Sequence, residues 1–161
     1  MFVVIANRDR PNIHALALDI SPTMLKMARD YFAGDDRVKL VEHDLSYPIP
    51  ELGLFDAVVS SFAIHHLTHK RKRSLYSEVS GILNPGGIFC NLEHVAPPTP
   101  GLRERFLTAI GAKLTKFVKD KSNKLLAMET QLYWLREIGF IDVDCYWKWL
   151  ELALLVGVKS Q

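Results

Sequence analysis

Ala15-Leu-Ala-Leu-Asp-Ile-Ser-Pro-Thr-Met-Leu25 is the stretch from which the rest of the 161-residue chain is read. Residues Ile13 to Leu18 are almost wholly apolar, as a strand covered on both faces of a parallel sheet must be. Asp19 closes the run. Ser21 is a good N-cap and Pro22 a good first helical residue, because its missing N–H would have no partner there anyway. The stretch therefore reads as strand, acid, cap, helix. An acid at the carboxyl tip of a parallel strand is placed to accept hydrogen bonds from ribose hydroxyls in an open α/β sheet. The competing role is local, an acid that merely helps to cap the helix.

Working outward, the predicted helix runs from Pro22 to about Phe32 and stops at Gly34. Arg37 to His43 reads as the next strand, with Asp44 at its tip, and Ser46 to Gly53 as a Pro-rich loop. Phe55 to Phe62 is a further buried strand ending in Ser60, Ser61 and Phe62. The spacing predicts a helix over His69–Leu83, a tight turn at Asn84-Pro-Gly-Gly87 and a strand over Ile88–Val95. Pro97, Pro98 and Pro100 mark a linker. Helices are predicted over Leu102–Val118 and Glu129–Ile138, the second stopped by Gly139. Two strands, Ile141–Trp147 and Glu151–Val158, follow with no helix between them and so form an antiparallel pair. This order predicts an α/β chain with a Rossmann-like, mostly parallel sheet and a C-terminal antiparallel strand pair.

Composition fits one soluble globular domain: 48% of residues are apolar, 24% are charged and the net charge is +2. That charge argues neither for nor against nucleic acid. Cys90 and Cys145 lack CxxC spacing and sit in apolar patterns, so buried free thiols in a reducing cytoplasm are expected. No run approaches a spanning length, and Met1 to Ala6 does not read as a signal peptide.

Several motifs in this order resemble the class I S-adenosylmethionine-dependent methyltransferases, over Ile13 to Lys159. Leu18-Asp-Ile-Ser-Pro-Thr-Met-Leu25 is similar to the family's second-strand motif and Val41-Glu-His-Asp-Leu45 to its third. Leu54 to Leu67 resembles the fourth, Leu83-Asn-Pro-Gly-Gly87 the turn before the fifth, and Trp134 to Phe140 the terminal helix. The resemblance implies S-adenosylmethionine as cofactor, its ribose held by Asp19 with Ile20 beside it, its adenine met by Asp44 and Leu45. Ser61 and Phe62 would pass beneath its methionine end. The implied acceptor is a small molecule or tRNA.

One element of the resemblance is missing. The family opens with a central strand and a Gly-rich loop whose backbone approaches the cofactor closely, yet no glycine precedes Gly34. The expectation is an N-terminally truncated domain. Its vacant central slot is taken by Phe2 to Ala6, or closed by direct pairing of the second and fourth strands, or left to compromise the fold. Unpaired buried backbone there would cost about 1–3 kcal/mol per group. The alternative function is a non-catalytic remnant with weak or no cofactor binding.

Among titratable residues, His65, His66 and His94 are candidates for a general base, with Glu93 beside the last, and packing is the competing role for each. No metal is expected, since His65, His66 and His69 have no further ligand at suitable spacing. Lys70-Arg-Lys-Arg73 reads as a solvated helix face, with phosphate binding as the alternative. The resemblance implies that residues 97–128 form a lid or an insertion on the substrate side. There Lys113, Lys116, Lys119, Lys121 and Lys124 would meet solvent, or an acidic substrate or tRNA. Trp147 and Trp149 are expected in sheet packing or a homodimer contact.

Overall fold

The computed structural model describes residues 2–3 and 14–161. The elements run β1 (Phe2–Val3), β2 (Ala15–Asp19), α1 (Pro22–Tyr31), β3 (Val38–Glu42), β4 (Phe55–Ser61), a 3-10 turn (Ile64–His66) and α2 (His69–Ile82). β5 (Leu83–His94), α3 (Pro100–Val118), α4 (Met128–Ile138), β6 (Phe140–Trp149) and β7 (Leu152–Lys159) follow. The strands form one seven-stranded sheet ordered β3-β2-β1-β4-β5-β7-β6. β2 pairs parallel with β3, and β4 with β5, while β7 is antiparallel to both β5 and β6. The predicted α/β sheet with a terminal antiparallel pair is the one observed.

The vacant slot is filled, and in reverse. β1 lies between β2 and β4 and runs antiparallel to both, Phe2 pairing with Leu18 and Ser60, Val3 with Ala17 and Val59. Of the three expected outcomes the structure shows the first, for Phe2 and Val3; Val4 to Ala6 lie outside the described residues, as does Ile13.

The turn at Asn84–Gly87 needs correction. These residues stand inside the long strand β5. Against β4 the register steps from Phe55↔Leu83 to Ala57↔Ile88, so the four residues form an irregularity within the ladder. Gly87 is confined there, since a Cβ would stand 2.8 Å from the Asn84 carbonyl oxygen.

The opening stretch folds as its residues dictate. Ser21 caps α1, its hydroxyl accepting from the Met24 N–H at 3.4 Å, and Pro22 follows as first helical residue. Leu25 and Ala28 are buried beneath the helix. One contiguous core joins Leu75, Tyr76 and Val79 of α2 and Leu132 and Leu135 of α4 to Val58, Phe89 and Leu155 of the sheet.

The basic run also needs correction. Lys72 is fully buried and Arg71 partly so, leaving Lys70 and Arg73 as its exposed members. Lys72 lies three residues before Leu75 and seven before Val79, on the buried face.

Candidate functional site

The carboxyl tips of β2, β3 and β4 open into one cleft of about 700 Å³. Its lining includes all six residues predicted to hold the cofactor: Asp19, Ile20, Asp44, Leu45, Ser61 and Phe62. Ser21, Met24, His43 and His66 join them.

The two acids are held alike. Asp19 Oδ1 accepts from the Ser21 N–H at 2.8 Å, and Asp44 Oδ1 from the Ser46 N–H, also at 2.8 Å. Each is an Asp-x-Ser turn at a strand tip, in which the carboxylate accepts from the backbone two residues on. The Asp19 carbonyl oxygen also accepts from the His43 N–H at 3.1 Å, which ties the two tips together. Asp19 therefore supports the start of α1 and also lines the cleft.

Around the acids the lining turns apolar. Ile20 is 57% exposed, Met24 38% and Phe62 42%. Phe62 adopts φ of +48°, a backbone region that costs an L-residue about 1–2 kcal/mol. Its N–H donates to the Leu92 carbonyl at 2.9 Å, continuing the β4–β5 ladder through the bend. His43 Nε2 is buried and has no hydrogen-bond partner among the described residues.

The histidines separate into different settings. His66 lines the cleft, its Nδ1 3.2 Å from Ser122 Oγ and its ring 4.0 Å from that of His65. Partial desolvation and the neighbouring His65 push its pKa below the usual histidine value, which favours the neutral imidazole. His65 is buried, Nδ1 2.8 Å from Glu93 Oε1, and is not part of the cleft lining. The same Glu93 oxygen accepts from the His94 N–H at 2.8 Å. His94 is buried elsewhere, its Nε2 2.8 Å from Glu151 Oε2, an atom also bound by Arg103. Desolvation lowers the His94 pKa, and Glu151 opposes that only in part. Phe106 of α3 packs on His94 and, edge to face, on Trp149 at 5.7 Å, so this group fastens α3 to the sheet. Trp149 thus packs in part against α3, and Trp147 is exposed. Cys90 and Cys145 are free thiols whose pKa burial raises.

Near this site Glu78 was not singled out from the sequence, and Arg71 and Lys72 were read only as members of the Lys70–Arg73 run. Arg71 donates to the Leu45 carbonyl (2.7 Å), the Tyr47 carbonyl (2.7 Å) and both oxygens of Glu78. Burial favours the neutral Glu78 carboxyl, but Arg71 and the Ile49 N–H together outweigh it and hold the pKa below the usual range. Lys72 Nζ donates to the Lys124 carbonyl at 2.7 Å. The helical spacing of Lys72 with Leu75 and Val79 is the signal that could have revealed its burial.

The cleft fits S-adenosylmethionine in its donor set. It offers a carboxylate for a diol, a second carboxylate beside backbone amides, exposed apolar side chains for a flat base, and the buried His43 Nε2, which has no partner among the described residues.

Comparison with known proteins agrees. The family described as "Methyltransferase domain" matches residues 2–87. The demethylmenaquinone methyltransferase of Clavibacter sepedonicus is 31% identical over 144 residues, covering 81% of this chain and 58% of that protein. An O-methyltransferase family protein from Burkholderia thailandensis superposes with a TM-score of 0.69 at 22% identity, covering 91% of this chain and 43% of that one. Human N-acetylserotonin methyltransferase, solved in complex with S-adenosylmethionine, gives 0.60 at 17% identity over 91% of this chain and 40% of that one. The chain thus spans less than two thirds of the length of each. With its sheet order and strand-tip acids, these matches place the chain in the class I S-adenosylmethionine-dependent methyltransferase family.

Proposed function

We propose that this chain binds S-adenosylmethionine in the cleft and transfers its methyl group to a small acceptor bearing an acidic hydroxyl, of the hydroquinone kind. Asp19 takes the ribose diol, with Ile20 beside it. Asp44 and Leu45 take the adenine, and Ser61 and Phe62 the methionine end. The observation that carries this reading is the convergence of all six residues on one cleft from three separate strand tips. When bound, the cofactor supplies a methyl group on a positively charged sulfur, so the protein's own contribution is positioning, exclusion of water and removal of any acceptor proton.

His66 is the base in this reading. It lines the cleft, and its lowered pKa keeps the imidazole neutral near pH 7. In the tautomer whose Nδ1 donates to Ser122 Oγ, the lone pair available for a proton is on Nε2. The likeness to a demethylmenaquinone methyltransferase favours a small molecule over tRNA as the acceptor.

The test is transfer of a labelled methyl group from S-adenosylmethionine to 1,4-naphthalenediol. Labelled product that falls sharply in His66→Gln supports the proposal. Binding of cofactor with no transfer to the diol would remove the acceptor class. A second reading is a domain that retains the ribose and adenine side but holds the methionine end poorly. It is favoured by the stretch between Val3 and Ala15, which contains no glycine. Adenosine and S-adenosylhomocysteine binding with similar affinity would establish it.

A further inference from the structure

Lys72 is fully buried on the inner face of α2, where methionine would fill similar space without losing the hydration of a charge. Its ammonium reaches the Lys124 carbonyl, 52 residues on, at 2.7 Å. Burial lowers its pKa to about 8 while Glu93 pulls it up and Lys124 pushes it down, so it is mostly charged at pH 7.

Residues 120–126 connect α3 to α4 without regular secondary structure, and their backbone groups must find partners elsewhere. Three consecutive carbonyls are captured by side chains. Lys124 O accepts from Lys72; Leu125 O stands 3.2 Å from His69 Nε2; Leu126 O accepts from the Gln131 amide at 3.2 Å. Gln131 is itself fixed by the buried Tyr76 hydroxyl, which donates to its Oε1 at 2.6 Å. On its other side this strap grips the His65–His66 turn. The Lys124 N–H donates to the His65 carbonyl at 2.8 Å and Lys124 Nζ to the His66 carbonyl at 3.0 Å. Ser122 Oγ meets His66 Nδ1 at 3.2 Å.

We infer that Lys72 is a positioning residue: through the Lys124 carbonyl its ammonium latches the 120–126 strap onto the His65–His66 turn and so sets where the His66 ring stands in the cleft. This inference rests on the reading of the cleft as the functional site, but its test needs no cofactor. The charge explains why a lysine occupies the position, because a cationic donor holds a carbonyl more strongly than a neutral one.

The experiment is Lys72→Met, followed by limited trypsin digestion and NMR titration of the His66 ring. The latch predicts cleavage after Lys119, Lys121 or Lys124 about tenfold faster, as expected for loss of one charged hydrogen bond. It also predicts a His66 midpoint displaced upward, as the ring gains water and loses a neighbouring cation. S-adenosylhomocysteine affinity should change less than about twofold, since the strand-tip acids are separate from the latch. Unchanged cleavage and an unchanged midpoint would overturn the inference.

Should Lys72→Met not fold, the unmodified chain decides. The amide resonances of Ser122, Lys124 and Leu125 should then show an inflection at the Lys72 midpoint between pH 7 and 9. Amides that ignore that titration would overturn the latch. Failure of the unmodified chain to bind S-adenosylhomocysteine would count against the cofactor reading alone.

Discussion

Arg71 and Lys72 are neighbours on one helix, and each places a side-chain cation on distant backbone carbonyls. Arg71 turns to the Asp44 side of the cleft, donating to the Leu45 and Tyr47 carbonyls behind that strand tip. Lys72 turns to the other half, gripping Lys124 behind His66. Their partners differ in kind. Arg71 is paired with Glu78, which is itself bound to the Ile49 N–H, and so belongs to a closed ionic group. Lys72 has a carbonyl and a more distant carboxylate. The first arrangement makes a rigid loop, the second a strap that a single donor holds. Two adjacent residues of one charge thus support two walls of the same cleft, one at Leu45 and one at His66.

The largest expected effect breaks the first wall. Arg71→Ala leaves Glu78 half-desolvated and two carbonyls without their donor, and should cost about 2–3 kcal/mol in denaturant unfolding. Strap cleavage by trypsin should be unchanged, which Lys72→Met reverses. If both variants loosen both segments, the two walls are one unit and the comparison fails. Next in size, Asp19→Ala should weaken S-adenosylhomocysteine about 10- to 100-fold, the loss of charge-assisted hydrogen bonds, without moving the His66 titration.

Acid sharpens the comparison. The pKa of Glu78 is depressed, so its stabilisation is complete above its unfolded value of about 4.3 and is lost as pH falls through the lower folded value. His66 and His94 are depressed too, so the unfolded chain binds their protons first. Stability should decline as pH falls below about 6.5 towards their folded values. Denaturation midpoints should therefore drop in two stages. The upper stage should shrink in His94→Gln and the lower in Glu78→Gln. A single stage unaffected by either variant would contradict these assignments.

The smallest effect concerns Phe62. Asparagine tolerates a positive φ better than phenylalanine, so Phe62→Asn should gain up to about 1 kcal/mol while weakening S-adenosylhomocysteine. A variant that loses stability as well as binding would mean that packing, not the cleft, keeps the ring there.

What was legible in the sequence follows the same division. Asp19 and Asp44 could be placed at strand tips because their surroundings are local: a strand pattern before each acid, and a helix cap or a Pro-rich loop after it. The residues of the other wall rely on pairings 50 or more positions apart, as between Lys72 and Lys124 or Ser122 and His66. No periodicity reports such a pairing. Lys70 to Arg73 looked like a solvated run because charge was read before phase, although Lys72 shares the helical face of Leu75 and Val79. Asn84–Gly87 looked like a turn because its residues favour one, yet the parallel ladder continues past it. The reversed pairing of Phe2 and Val3 was open because a short apolar stub carries no direction.

Calorimetric titration of the chain with S-adenosylhomocysteine tests the central claim most directly. Binding in the low micromolar range, lost in Asp19→Ala, is the predicted result. No heat at millimolar ligand, or binding that Asp19→Ala leaves intact, would contradict it.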